Sequence, residues 1–391
     1  MAVPTTHSLE EVTPQLLAQG LMALRGNCVM PQLVNREYET NARQAGDVIK
    51  VPIPSEIDHG EVTAAKTAPD GSKVNPTSVS IELKHWRYAS FALSDKEITQ
   101  SMNGVIPMQA SEAIKVLANK IDSDILNEAD IKSTVWVGTP GSGSNQFSSD
   151  INLALRAGQK LDENEAPPDN RRMVIDPASH YHAMQHSAFQ YVSYSGTREG
   201  IEEAQINRKL GFDWYMDQNL KPRHPDTYGW LVRKNTANAY PAGTTTIRID
   251  KTATGGGGDT KPKVGDWFTA GADVDNRYFI TEITAETSAT DINIRFEPGL
   301  VGATVTNDDS VDFHHDTTPL YAFHRDAIAF VSSPLEDASI AGAIIQSQTD
   351  PVSGLSLRLE ISREWMQVRF TYSVLYGFAV IRPSNIIMIM A

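Results

Sequence analysis

Residues 107–131 read PMQASEAIKVLANKIDSDILNEADI, and this stretch carries the clearest helical periodicity in the chain. Ala110, Ile114, Leu117, Ile121 and Ile125 recur at intervals of three and four, which places them on one face of an α-helix. Pro107 suits the first turn, where its missing N–H goes unused. At 1.5 Å per residue such a helix is about 37 Å long. An isolated helix holds its shape in water only weakly, so the apolar stripe needs a cover. Ile114, Leu117, Ile121 and Ile125 are therefore expected to be buried against a sheet. The carboxylates Asp122 and Asp124 beside the stripe, like Glu202 and Glu203 further on, read as ordinary solvated charges.

Upstream, Leu16, Leu17, Leu21, Met22 and Leu24 fall near helical spacing, with Pro14 in the first turn and an end near Gly26 or Asn27. Ile49, Val51 and Ile53 then alternate with Val48, Lys50 and Pro52 in a strand pattern, and Pro52 and Pro54 confine that strand to an edge. The segment Ser55–Ser78 is polar and rich in turn residues. The chain returns through Val79, Ile81 and Leu83. Two strands around so long a polar tip form a protruding hairpin. Past His85, apolar residues occupy both faces through Trp86, Tyr88, Phe91 and Leu93.

Downstream, Gly138–Ser149 reads as a Gly/Ser linker. A helix is expected over Asp150–Leu161, a short buried strand at Met173–Ile175, and another helix from Asp176-Pro177 to His186. Residues 236–318 differ in texture, with short Thr- and Val-rich runs, many turns and almost no helical period. Strands are expected at Thr244–Ile249, Trp267–Ala270, Tyr278–Thr284, Asp291–Phe296 and Ser310–His314, the pattern of a small inserted β-barrel or sandwich. Leu355, Leu357, Leu359 and Ile361 alternate with polar residues. The chain is expected to turn at Arg363 and Glu364, and Met366, Val368, Phe370, Tyr372 and Val374 alternate again. The run Ile386–Met390 is too short to span a membrane and reads as a buried strand.

Bulk composition excludes several classes. With 391 residues, 40% of them hydrophobic, the chain can build two or three packed units. A formal net charge of −14 argues against tight, sequence-independent binding of nucleic acid and against anionic membranes. The single cysteine, Cys28, permits no intrachain disulfide and no cysteine-based zinc site, in keeping with folding in a reducing cytoplasm. Met1–Gln15 lacks the basic and apolar regions of a secretory signal.

Three constellations invite a chemical reading. His182 and His186 stand at i and i+4, with His180 nearby, as zinc ligands do on a helix. The glutamate that zinc hydrolases place after the first histidine is Ala183 here. His314, His315 and Asp316, with Asp312, His324 and Asp326 around them, read as a hydrogen-bonded domain junction. Gly138, Gly141 and Gly143 lack the Gly-Lys-Ser/Thr ending of a phosphate loop, and Gly255–Gly258 precede no helix. No Gly-x-Ser-x-Gly elbow occurs. Catalytic residues, metal ligands and cofactors are expected to be none.

Four segments in order carry a family resemblance. Gly211-Phe212-Asp213-Trp214-Tyr215-Met216-Asp217-Gln218-Asn219-Leu220, Val264-Gly265-Asp266-Trp267-Phe268-Thr269, Leu320-Tyr321-Ala322-Phe323-His324-Arg325-Asp326-Ala327-Ile328-Ala329 and Val374-Leu375-Tyr376-Gly377-Phe378-Ala379-Val380-Ile381-Arg382-Pro383 resemble the P22-type major capsid (coat) proteins of tailed bacteriophages. The resemblance covers nearly the whole chain and implies an α+β, HK97-like capsid fold. On it, residues 1–40 are an N-arm and 41–100 an extended E-loop hairpin with peripheral-domain strands. Residues 101–149 are the spine helix and linker of the peripheral domain, and 150–235 the first part of an axial domain. The inserted β-barrel-like domain is 236–318, and 319–391 bring the axial and peripheral return and the last strands.

The resemblance further implies a structural protein, not an enzyme, that self-assembles into pentamers and hexamers of an icosahedral shell around double-stranded DNA. Its implied partners are copies of itself, a scaffolding protein, a portal protein, a decoration protein and DNA bound without sequence preference, with no membrane. It implies a virion location after folding and assembly in the host cytoplasm. Asp58, His59, Glu61, Lys66, Asp70 and Lys73 in the hairpin tip are the expected inter-subunit contacts. Lys66 and Lys73 are not expected to crosslink. The alternatives are an encapsulin-like nanocompartment shell and a metal-dependent hydrolase built on His180, His182 and His186.

Overall fold

The computed structural model describes residues 9–38, 48–53, 77–100, 105–138, 147, 151–186, 189, 206–220, 230–232, 240–251, 262–270, 273–288, 291–301, 305, 309–313, 318–335, 344–350 and 354–390. The fold is α+β. The chain divides into two compact units, Met1–Asn119 with Ile328–Ile381, and Lys120–Ala327 with Arg382–Ala391. One division falls inside the long helix, Val105–Lys132. The return segment, 319–391, is shared between the units.

In the first unit, the strands Ile328–Ser332, Gln367–Val380, Ser356–Glu364 and Ile344–Thr349 form an antiparallel sheet, and His85–Ser94 pairs along the other side of Gln367–Val380. Strict alternation decides its inner face, with Leu357, Leu359, Ile361, Val368, Phe370, Tyr372 and Val374 all buried. The helix Leu9–Asn27 covers these strands through Leu16, Leu17, Leu21 and Leu24. Gly20 is what lets it sit so close. A Cβ there would lie 2.8 Å from Ile114 Cδ1 and 3.2 Å from Leu357 Cδ2. Ala110, Ile114, Leu117, Ile121 and Ile125 are buried along the full length of the helical stripe.

Two expectations need correction in this unit. The first helix begins at Leu9, so Pro14 lies beyond its first turn, and Met22 is 71% exposed because it falls outside the Leu16–Leu24 stripe. The C-terminal hairpin turns at Trp365 and Met366, not at Arg363 and Glu364, which still pair with Val368 and Gln367. Apolar residues do occupy both faces of His85–Ser94, with Trp86 and Tyr88 on the exposed face and Phe91 and Leu93 on the other. The strands Val48–Ile53 and Thr77–Glu82 form the expected hairpin in antiparallel register from Val48↔Glu82 to Ile53↔Thr77.

In the second unit, five strands order as Val135–Gly138, Ile386–Met390, Leu320–His324, Arg171–Ile175 and Asp213–Met216. Ile386–Met390 is buried at every residue, as befits a strand paired on both edges and covered on both faces. The helix Asn152–Glu163 lies over it through Ala154, Ala157 and Leu161. Gly138 is not a linker residue but the end of a strand. Its φ is +127°, and a Cβ there would fall 1.6 Å from the Met390 carbonyl oxygen, so no side chain fits. Asp122 and Asp124 are buried rather than solvated. The helix turns them inward, and Lys120 reaches Asp124 at 2.6 Å.

Six further strands close on themselves. Asp291–Glu297, Thr246–Lys251, Trp230–Val232, Ser310–Phe313, Trp267–Ala270 and Asp273–Ser288 pair in sequence, and the last pairs back to the first. The ring thus draws in Trp230–Val232, which precedes the expected start at 236. Its interior is filled by Ile247, Ile249, Phe268, Tyr278, Ile280, Ile292, Ile294, Phe296, Val311 and Phe313 among others. In the strand ladder, one residue pair among the described residues, Asn276↔Val135, joins the ring to the five-stranded sheet.

Candidate assembly surfaces

The first candidate surface is the hairpin. Ile49, Val51 and Ile81 at its base pack on Ala329 and Val331, a strand nearly 250 residues further along the chain. The expected contact residues Asp58, His59, Glu61, Lys66, Asp70 and Lys73 lie outside the described residues.

The second surface belongs to the sheet of the first unit. Trp365 at the hairpin turn is 87% exposed and Met366 beside it 64%, with φ +52°. Two-residue hairpin turns favour Asn-Gly, so a Trp-Met turn presents apolar surface where turn chemistry asks for none. Asp95 binds this turn through its N–H, 3.1 Å from the Met366 carbonyl. Its carboxylate accepts from Arg363 at 2.7 Å, and Glu364 pairs with Arg369 at 2.8 Å. Ser94 and Glu97 cap the helix Asp95–Gln100 reciprocally. The Ser94 backbone N–H first, and its hydroxyl second, hold the Glu97 carboxyl below its usual value.

Among the described residues, the chemical constellations do not converge. His186 Nε2 lies 2.7 Å from the Phe147 carbonyl oxygen. A carbonyl can only accept, so that nitrogen carries the proton and is committed to holding the buried Phe147 in place. Trp214 packs on Phe147 with ring centroids 5.4 Å apart. His324 is buried, and its Nδ1 accepts the Asp326 backbone N–H at 3.2 Å. Asp312 is placed in the strand Ser310–Phe313. His314, His315, Asp316, Glu202, Glu203, Gly141, Gly143 and Gly255–Gly258 lie outside the described residues. Among the described residues, no group of three or more His, Cys, Asp or Glu could hold a metal ion. Also among them, no helix is long and apolar enough to cross a membrane. Asp217 is buried with Oδ1 accepting from the Asn219 N–H and Nδ2 at 2.8 and 2.9 Å, and burial pushes its carboxyl above the ordinary value.

Among the described residues, Arg277 and Asp122 are the most deeply buried charged side chains, and nothing in the residue pattern announced Arg277. Arg277 has no exposed surface and sits 3.0 Å from Asp130, itself 1% exposed. Arg277 follows Asp273, Asp275 and Asn276 in a polar run before Tyr278-Phe279-Ile280, so residue order carried no signal of its burial.

No family model matches the chain, and no curated protein does. Solved structures are similar in fold. A chain of Mycobacterium phage Che8 superposes with a TM-score of 0.54 at 15% identity, over 93% of this chain and 90% of that one. A chain in the capsid structure of the cyanophage P-SCSP1u gives 0.47 at 12% identity, over 88% and 83%. One in the virus-like particle from Pyrococcus furiosus gives 0.43 at 10% identity, over 96% and 98%. The first of these, together with the mixed helix and sheet content, fits the α+β, HK97-like fold expected from the sequence.

Proposed function

We propose that this protein is the major capsid protein of a tailed bacteriophage, of the P22-type branch. It is a structural subunit that assembles with copies of itself into pentamers and hexamers of an icosahedral shell. The observation that carries the reading is the end-to-end likeness to the Mycobacterium phage Che8 chain, over nine-tenths of both chains. The four sequence segments quoted above add the branch, and the closed ring of strands is its inserted β-domain. In this reading double-stranded DNA fills the shell without sequence recognition. Scaffolding, portal and decoration proteins are its other partners, and assembly takes place in the host cytoplasm.

The surface of the first unit suits the role. Trp86, Tyr88, Trp365 and Met366 leave apolar area that a second copy would cover. Asp95, Glu97 and Glu364 balance Lys96, Arg363 and Arg369 around the turn, so two copies can meet there despite a net charge of −14 on each chain.

Electron microscopy and sedimentation of the purified chain, alone and with the scaffolding protein encoded near it, test the proposal. Closed particles or capsomer rings are the expected result. A monomer at every concentration, with scaffold supplied, would falsify it. Replacing residues 54–76 by a short Asn-Gly turn, which keeps the pair Ile53↔Thr77, should leave the subunit folded, since shortening a loop changes closure entropy little, and should abolish shells. Shells of unchanged stability would remove the hairpin tip from the contacts.

A further inference from the structure

Arg277 lies on the ring strand Asp273–Ser288, and its side chain leaves the ring. It does not belong to the apolar cluster that fills the ring. Instead it runs to the last turn of the long helix. One guanidinium nitrogen, Nη2, donates to the Asp130 carbonyl, and Nε donates to the Ser133 carbonyl at 3.2 Å. Nη1 stands 3.0 Å from Asp130 Oδ1, an ion-pair distance without hydrogen-bond alignment. The Arg277 backbone N–H donates to the Thr134 carbonyl at 3.0 Å. The guanidinium also lies 5.5 Å from the centroid of the Trp267 ring, on the next ring strand.

Two of these acceptors are the carbonyls that a helix leaves unpaired where it ends. The C-terminus of a helix carries partial negative charge, which a cation there relieves. Helices commonly meet this need locally, with a glycine in left-handed conformation just past the end. Here the helix ends Asp130-Ile131-Lys132-Ser133-Thr134, with no glycine, and is followed directly by the strand Val135–Gly138. The local solution is absent, and a residue 147 positions from Asp130 supplies the donors. Lys132 adds a second tie, to Glu297 at the end of another ring strand.

We propose that Arg277 is the C-terminal cap of the long helix, delivered in trans by the β ring, so that the last turn of the helix is ordered only while the ring is seated. The ring and the helix end are then one switchable joint. A displacement of the ring strand removes three donors from the helix end at once and leaves Asp130 buried without its cation. The inference is independent of shell assembly.

Hydrogen exchange on the full chain, read by mass spectrometry, tests it. In Arg277→Ala, amides of residues 126–135 should exchange about ten- to a hundredfold faster, the loss expected for hydrogen bonds to a charged group. Ring amides at 247–249 and 292–296 should keep their protection. Parallel loss of protection in the ring would make Arg277 part of the ring's own packing and overturn the proposal. Unchanged exchange at 126–135 would show that the helix caps itself. Arg277→Lys keeps the charge but loses the planar fork, and it decides the matter if the alanine variant does not fold. Intermediate exchange at 126–135 supports capping by the guanidinium. Wild-type protection would mean that charge alone suffices, and would overturn it.

Discussion

The closed ring and the strand pair Val48–Ile53 with Thr77–Glu82 are both two-faced β structures, yet they obtain their cores differently. Every residue of the ring's apolar cluster comes from one continuous stretch, Ile247 to Phe313, with Tyr240 packed beside it. Among the described residues, the hairpin contributes Ile49, Val51 and Ile81 to its cluster, with Leu83 packed beside them, and borrows Ala329 and Val331 from a distant strand. Polar accounting follows the same line. Tyr278 OH in the ring accepts the Val301 N–H at 3.2 Å, and Tyr240 OH accepts the Arg248 N–H at 3.3 Å. In the sheet beneath the first helix, the fully buried Tyr372 hydroxyl has no partner among the described residues. A region that closes its core locally can be moved as a module. One that borrows its core is fixed to the rest of the chain.

The contrast breaks most simply on fragments. Residues 228–318 expressed alone should give dispersed amide resonances and β-type circular dichroism, since about 90 residues with a filled interior can fold unaided. Residues 41–100 alone should be unfolded, because a two-stranded hairpin is marginal in water. A folded hairpin fragment, or a random-coil ring fragment, would end the distinction.

Point substitutions sharpen it. Phe268 meets Tyr278, Phe296 and Phe313 at centroid distances of 5.7, 5.4 and 5.7 Å. Phe268→Ala should cost about 3–5 kcal/mol in ring stability, measured by denaturant unfolding of the ring fragment. Ile81→Ala should cost about 2–5 kcal/mol in the full chain and leave ring amide exchange unaltered. Loss of ring protection in Ile81→Ala would mean that the two cores are not separate.

The smallest effects concern the tyrosines. Tyr278→Phe removes the acceptor of the Val301 N–H, which lies on a half-exposed residue, and should cost about 0.5–1.5 kcal/mol. Tyr372→Phe removes a hydroxyl that already lacks a partner, so it should be neutral or stabilising by up to about 1 kcal/mol. Burial pushes the Tyr372 phenol up to about 12 from an ordinary 10.0. The folded state therefore favours the neutral phenol. That contribution is complete below pH 10 and is lost as pH rises through about 12. Tyr372→Phe should accordingly flatten the alkaline fall in stability, followed by thermal melting across that range. An unchanged alkaline profile would place the titrating group elsewhere.

Much of this was legible from residue order because it is local. Ile114, Leu117, Ile121 and Ile125 sit three and four apart, and an apolar stripe of that period must be covered whatever covers it. The alternation in Leu355–Ile361 and Val368–Val374 decides an inner face in the same way, and the texture of 236–318 announces strands rather than helices. The hairpin turn at Trp365 and Met366 escaped because neither residue has turn chemistry. Asp122 and Asp124 escaped because charge pattern does not say which helix face meets the protein.

By itself, then, the sequence determined which faces are apolar, where the β-rich region begins to within a strand, and the broad α+β class. Only the tertiary structure decided which distant elements meet. Gly138 is required by the Met390 carbonyl, Ala329 completes the hairpin's base, and Arg277 reaches the carbonyls of Asp130 and Ser133. The physical reason is range. Periodicity reports the solvent side of a single element, whereas a cap, a close backbone approach or a buried ion pair depends on a partner more than a hundred residues away, about which local spacing carries no information.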